Sequence, residues 1–241
     1  MSNAAVRLSP GARAAHLPLL RGGRWFRSAA PALQAALLDA AGERRLAGGE
    51  RLFARGDAAD GLYCVLDGAL RVSGVAESGK EALLLFLEPP AWFGEIALFD
   101  GGPRTHDAWA VDACTLLQVP QDALNALLRA HPEYWRDLGL LLADKLRLAF
   151  VALEGMTLMP APMRLAQRIA MIADGYGEGA AAGRPLIRIP QDQLAQMVAL
   201  SRQTTNQILR ELAAQGVVRL RRGGIEIVDL AALRACAGAP A

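Results

Sequence analysis

The feature that most constrains this chain is a run of glycine punctuation that stops where helical periodicity begins. Between residues 43 and 119, Gly48, Gly56, Gly61, Gly68, Gly74, Gly79, Gly94 and Gly101 separate short β-type runs at 62–66, 69–75, 82–87, 108–111 and 115–119. Short strands with turn signals at roughly ten-residue spacing indicate an antiparallel sandwich or barrel. Asp67-Gly68 and Ser78-Gly79 read as hairpin turns, because glycine accepts positive φ. After residue 119 the period becomes helical. Residues 120–130 read as one helix, and Pro132 opens a longer one that runs to about residue 158 and is stopped by Pro160 and Pro162. In it, Leu142, Leu146, Ala149, Phe150 and Leu153 form one apolar stripe. Such a helix is roughly 39 Å long, more than a small barrel needs. It reads as a dimer seam; the plainer alternative is a helix lying across its own barrel.

Before this region, residues 1–20 read as a loose arm, and residues 31–41 as a short helix. The resulting division is an arm (1–20), a sensing barrel (21–130), a dimerisation helix with its hinge (131–160) and a C-terminal unit (161–241). Charge follows that division. Residues 1–160 carry 16 Lys+Arg against 18 Asp+Glu, while residues 161–241 carry 10 against 6. A basic C-terminal part suits a phosphate-bearing partner. The three cysteines, Cys64, Cys114 and Cys236, have neither zinc-motif nor redox-motif spacing, as expected in a reducing cytoplasm. The most apolar stretch, 138–153, is interrupted by Asp144, Lys145 and Arg147, so no membrane span is expected. No secretory signal, metal motif or catalytic constellation is legible, and an enzyme is not expected.

The chain as a whole reads as α+β, and its C-terminal unit as a helix at 163–173, a strand at 186–189, helices at 190–198 and 202–215, and a hairpin at 217–228. Leu194, Ala195, Val198 and Leu200 can pack on Ile208, Leu209 and Leu212, as two helices joined by a tight turn require. Ser201 is a good N-cap. Beyond it, Arg202, Gln203, Thr204, Asn206 and Gln207 form an acid-free first two turns. Arg can pair with guanine, Gln or Asn with adenine, and Ser or Thr with phosphate oxygens. Arg221 and Arg222 would make a basic wing. An ordinary solvated helix face is the alternative.

Ser201, Arg202 and Thr204, followed by Ile208 and Leu209, resemble the recognition helix of the Crp/Fnr family of bacterial regulators. Gln203 stands where that pattern has an acid and Gln207 where it has Arg, which implies a different operator. A second match, Phe93-Gly94-Glu95-Ile96-Ala97 through Arg104-Thr105, resembles the phosphate cassette of cyclic-nucleotide-binding domains. Gly94 admits a close backbone approach, the turn after it can aim N–H groups at an anion, and Arg104 offers a guanidinium fork. The resemblance implies effector-binding roles for Gly94, Glu95, Ile96, Ala97, Arg104 and Thr105. It also implies a jelly-roll barrel, a winged helix-turn-helix, a homodimer on near-palindromic double-stranded DNA, and RNA polymerase as a further partner.

The effector stays open between cyclic AMP, a cyclic dinucleotide and none. Ala149 and Phe150 occupy the positions at which family members contact adenine through hydroxyls, and neither can make those bonds. Phe150 could stack on a base or plug the pocket. Asp107, if it points inward, would oppose a phosphate. Glu95 and Arg104 could instead pair with each other in an empty scaffold. No cysteine precedes Cys64 and no histidine has a supporting motif, which argues against iron–sulfur and haem sensors. The rival readings are a constitutive DNA binder with a degenerate pocket and a cyclic-nucleotide module acting on protein partners.

Overall fold

The computed structural model describes residues 5–75, 81–177 and 186–238. Strand β1 (Val6–Arg7) leads into helices α1 (Pro10–Gly22), α2 (Arg24–Ser28) and α3 (Pro31–Ala40). Then come β2 (Gly42–Leu46), β3 (Arg51–Phe53), β4 (Gly61–Asp67), β5 (Leu70–Val75), β6 (Glu81–Leu87) and β7 (Trp92–Phe93). The short helix α4 (Ile96–Asp100) separates these from β8 (Asp107–Ala110) and β9 (Cys114–Pro120). Three helices follow: α5 (Gln121–Ala130), α6 (Tyr134–Leu158) and α7 (Ala161–Ala173). The C-terminal part adds β10 (Leu186–Ile187), α8 (Gln191–Met197), α9 (Arg202–Ala214), β11 (Val218–Arg221), β12 (Gly224–Ile227) and α10 (Leu230–Cys236).

The strands make two antiparallel sheets in jelly-roll fashion, ordered β1-β2-β9-β4-β7 and β3-β8-β5-β6. Among the described residues no ladder joins the two, so the expected barrel is not closed by hydrogen bonds. Alternation along β4 shows how the sheets are held. Tyr63 and Val65 point into the core between the sheets. Leu62, Cys64 and Leu66 point the other way, into a second core against helices. A strand buried on both faces reads as a continuous apolar run, as Leu62 to Leu66 does. Asp67-Gly68 is not a hairpin turn, because β4 and β5 lie in different sheets. Gly68 has φ 76°, and a side chain there would meet the Ala113 carbonyl. The bend that carries the chain between sheets therefore needs glycine. Ser78-Gly79 lies outside the described residues, although the strands on either side of it, β5 and β6, do pair antiparallel.

The segment read as a loose arm is structured from residue 5 onward. Ser9 caps α1 by accepting from the Ala12 N–H at 3.2 Å, Pro10 opens the helix, and Leu20 is fully buried. An alanine-rich sequence interrupted by Pro18 hides that helix from periodicity. Its partner α2 supplies Trp25 and Phe26. Phe26 stacks on Trp92 with ring centroids 5.4 Å apart, and the Trp25 indole donates to the Asp137 carbonyl at 2.7 Å. That bond ties the N-terminal helices to α6.

Helix α6 is 25 residues, roughly 38 Å. Its first half packs Tyr134, Leu138 and Leu141 into the helix-side core. Its second half leaves Leu146, Phe150, Leu153 and Leu158 exposed, with Phe150 at 62%. Met159 is extended, and α7 begins directly after Pro160, two residues before the expected start. In the C-terminal part β10, β12 and β11 form one sheet, and Leu165, Ile169, Leu194, Ile208, Leu209 and Leu233 are buried in its core. That core is continuous with the one between the sheets.

Candidate functional site

Two regions carry the residues singled out from sequence. The first is the exposed side of α9. Ser201 Oγ accepts from the Thr204 N–H at 3.0 Å, so the side chain fixes where α9 starts. Thr205, Ile208, Leu209 and Leu212 then face the core, and helical spacing turns Arg202, Gln203, Thr204 and Gln207 outward. Asn206 is half-exposed. Gln207 donates to Glu211 at 2.8 Å, which steadies its carboxamide. Arg210 lies in the same shallow concavity and was not singled out by sequence. The turn before α9 holds Ala199 at φ 50°, a left-handed alanine that brings α8 and α9 into their crossing.

The wing differs from expectation. Arg221 is the last residue of β11 rather than part of the turn, and it donates to Glu226 at 2.6 Å while Arg219 does so at 3.2 Å. The Arg221 hydrogen bond, with the Arg219 charge, holds the Glu226 carboxyl below its usual range. Arg221 thus spends its charge within the hairpin. Arg222 sits in the turn beside Gly223 (φ 79°) and is exposed, with no ion pair among the described residues.

The second region is a cavity of about 460 Å³ between the sheets, α6 and α7, a size that suits a small molecule. Gly94 follows β7 with φ 93°, and an added Cβ there would come within 2.8 Å of Arg104 Nη1. Only glycine lets the guanidinium lie against this backbone. Arg104 is 4% exposed; it donates through Nη1 to the Gly94 carbonyl at 3.1 Å, and through Nη2 to Asp60 and the Gly61 carbonyl, each at 2.7 Å. Its guanidinium also lies 4.4 Å over the Phe53 ring. Sequence reading missed Asp60, whose signal was an Asp-Gly pair just ahead of a strand. Asp60 also accepts from Tyr63 at 2.5 Å; burial and that carboxylate push the Tyr63 phenol well up.

Glu95 does not pair with Arg104. Its carboxylate, 3% exposed, meets Lys145 of α6 at 2.6 Å. Ile96, Ala97 and Thr105 line the cavity. Asp107 does not line it; it accepts from the Arg55 N–H at 2.7 Å. His106 does line it, and burial, then the Arg55 charge, lower its pKa from 6.5. From α6 come Leu142, Lys145, Leu146 and Ala149. Phe150 is not in the wall of this cavity. One residue beyond Ala149 is about 100° around a helix, which turns Phe150 to the exposed stripe with Leu146 and Leu153. The far wall comes from Arg168, Met171 and Tyr176, which no sequence pattern marked. Among the described residues no cluster of His, Cys, Asp and Glu could hold a metal ion, and no helix is long and apolar enough to cross a membrane.

Residues 43–131 match the cyclic nucleotide-binding domain family, and residues 163–236 match the Crp-like helix-turn-helix domain family. The CRP-like cAMP-activated global transcriptional regulator of Mycobacterium tuberculosis is 32% identical over 183 residues, covering 75% of this chain and 81% of that protein. The cyclic AMP receptor protein of Thermus thermophilus is 34% identical over 186 residues, covering 77% and 83%. Among solved structures, FixK2 from Bradyrhizobium japonicum superposes with a TM-score of 0.72 at 20% identity, over 83% of this chain and 99% of that one. A CRP/FNR-family transcriptional regulator of Thermus thermophilus gives 0.62 at 26% identity, over 83% and 100%.

Proposed function

The chain belongs to the Crp/Fnr family of transcription regulators, and we propose that it works as a cytoplasmic homodimer whose cavity binds a small effector and thereby sets the posture of two recognition helices on DNA. The observation that carries this reading is structural continuity. One packed unit holds the cassette cavity and an exposed α9 face whose first two turns carry no acid, and α7 belongs to both. It is a regulator by descent rather than an enzyme.

In this reading residues 21–130 sense, residues 131–160 dimerise and hinge, and residues 161–241 grip DNA. Leu146, Phe150 and Leu153 meet their copies in a second protomer, with Leu142 and Ala149 at the edge of the seam. Two-fold symmetry then places the α9 helices in successive major grooves of a near-palindromic site. Arg202, Gln203 and Gln207 read bases, Asn206 assists, and Ser201 and Thr204 seat phosphate at the helix N-terminus. Arg222 adds a backbone contact from the wing, with Arg221 holding the hairpin's shape. RNA polymerase is the further partner that a regulator of transcription would meet at the promoter.

The cassette supports a cyclic nucleotide, cyclic AMP or a cyclic dinucleotide, with Gly94, Glu95, Ile96, Ala97, Arg104 and Thr105 around it. Ala149 offers no hydrogen bond to a base, so the ligand is read differently from one gripped by hydroxyls. Phe150 acts from the seam. An effector shifts the equilibrium only through better binding to one posture, and the extended residue Met159 before Pro160 is the hinge.

One observation favours a second reading. Arg104 pairs with Asp60 and donates to two carbonyls, and Glu95 pairs with Lys145, so the charges of the cassette are balanced without a ligand, as a constitutive DNA binder would have it, although Arg104 Nε is buried with no hydrogen-bond partner among the described residues. Selection of binding sites from a random duplex pool tests the DNA half. The expected product is a near-palindrome with half-site centres about one helical turn apart; enrichment of isolated half-sites contradicts the dimer.

A further inference from the structure

Three cations line the cavity, and two already have an acid. Arg104 has Asp60 and Lys145 has Glu95, at 2.7 and 2.6 Å. The third is Arg168 on α7, 8% exposed. Its Nη1 donates to the Leu84 carbonyl at 3.3 Å, and its charge acts on the buried Tyr176 hydroxyl. The Tyr176 hydroxyl in turn accepts from the Phe86 N–H at 3.2 Å. Both backbone partners belong to β6, the edge strand of its sheet. Among the described residues no carboxylate pairs with Arg168.

A buried charge with no ion pair of its own among the described residues is costly, and the cost falls when an anion arrives. Apart from Thr105, His106, Tyr176 and the paired acid Glu95, the rest of this wall is apolar, with Phe53, Val72, Leu85, Phe93, Leu146 and Met171 its larger side chains. We propose that Arg168 is the anion anchor of the cavity, and that the effector is an organic anion whose apolar body fills the space between the sheets and α6 while its acidic group pairs with Arg168. This rests on the reading that the cavity binds an effector. It moves the ligand's charge from the cassette, where Arg104 already has Asp60 as its counter-charge, to the first helix of the DNA-binding part. The ligand is then held by the element that must move. An anion at Arg168 also competes with the Leu84 carbonyl for the guanidinium, so occupancy alters the grip of α7 on the edge of β6.

The chemistry is shared by a phosphodiester on a flat base and a carboxylate on an alkyl chain. Calorimetric titration of the full-length protein with cyclic AMP, cyclic di-GMP and decanoate separates them. At least one binds the wild-type protein. For that ligand Arg168→Met loses about tenfold or more, equivalent to roughly 1.4 kcal/mol, and Arg168→Lys stays within about threefold. Without ligand, Arg168→Met melts no lower than wild type, because an unpaired buried charge has been removed. If Arg168→Met binds as tightly as wild type, the anchor is overturned and the effector reading stands. If Arg168→Met melts lower and Arg168→Lys binds as poorly as Arg168→Met, Arg168 is structural and the anchor is again overturned. If none of the three binds the wild-type protein, the effector reading falls and takes the anchor with it.

Discussion

Arg202 stands at the first position of α9, exposed, with its helix start fixed by Ser201. Replacing it with alanine should cost about 1–3 kcal/mol of specific DNA binding, measured by anisotropy on the selected operator, with little change in melting temperature. His106 gives a prediction of a different kind. Burial and Arg55 hold its pKa below 6.5, so between those two values the unfolded chain binds more protons than the native one. Its share of stability is therefore complete above about pH 6.5 and is lost as pH falls through the folded value. Melting between pH 7.5 and 5.5 should fall more steeply for wild type than for His106→Gln. Residue-level chemistry was legible where it is local. The N-cap at Ser201 follows from neighbours in sequence, and glycine at 94 was legible from its motif with Glu95 and Arg104. The partners of Glu95 and Arg104 were not legible, because Lys145 and Asp60 arrive from 50 and 44 residues away and only the fold brings them.

At the scale of elements, strands and long helices were readable because each shows its own period. β4 was found as a run of apolar residues, and α6 by its stripe and its flanking prolines. What escaped was connectivity. Asp67-Gly68 looks like a hairpin turn because its residues permit one; that the chain instead crosses to the other sheet depends on β4 choosing β9 as its neighbour. α1 escaped because half of its aliphatic residues are alanines and Pro18 interrupts it, and its burial depends on Trp25, Phe26 and Trp92 next to it. The seam can be tested on its own. Leu153 is 61% exposed on a helix whose other face is committed. Leu153→Glu should place like charges across a two-fold axis and yield a monomer at micromolar concentration by sedimentation, with the melting transition of each protomer's sheets retained. A dimer of unchanged affinity would place the interface elsewhere.

The whole molecule joins these parts through α7. Sequence division at residues 160 and 161 suggests two units connected by a hinge, yet the core runs unbroken from the sheets into α7, α8 and α9. The cavity wall itself includes Arg168, Met171 and Tyr176. A ligand in that space touches sensor, seam and DNA-binding part at once, so coupling needs no long relay. Such linkage is reciprocal and typically amounts to about 1–3 kcal/mol.

The direct test is the affinity of the full-length protein for its selected operator, measured by fluorescence anisotropy at one fixed salt concentration, without ligand and with saturating cyclic AMP, cyclic di-GMP or decanoate. The account predicts that one of them changes operator affinity by about fivefold or more. Equal affinity in all four conditions would contradict it and leave a constitutive DNA binder.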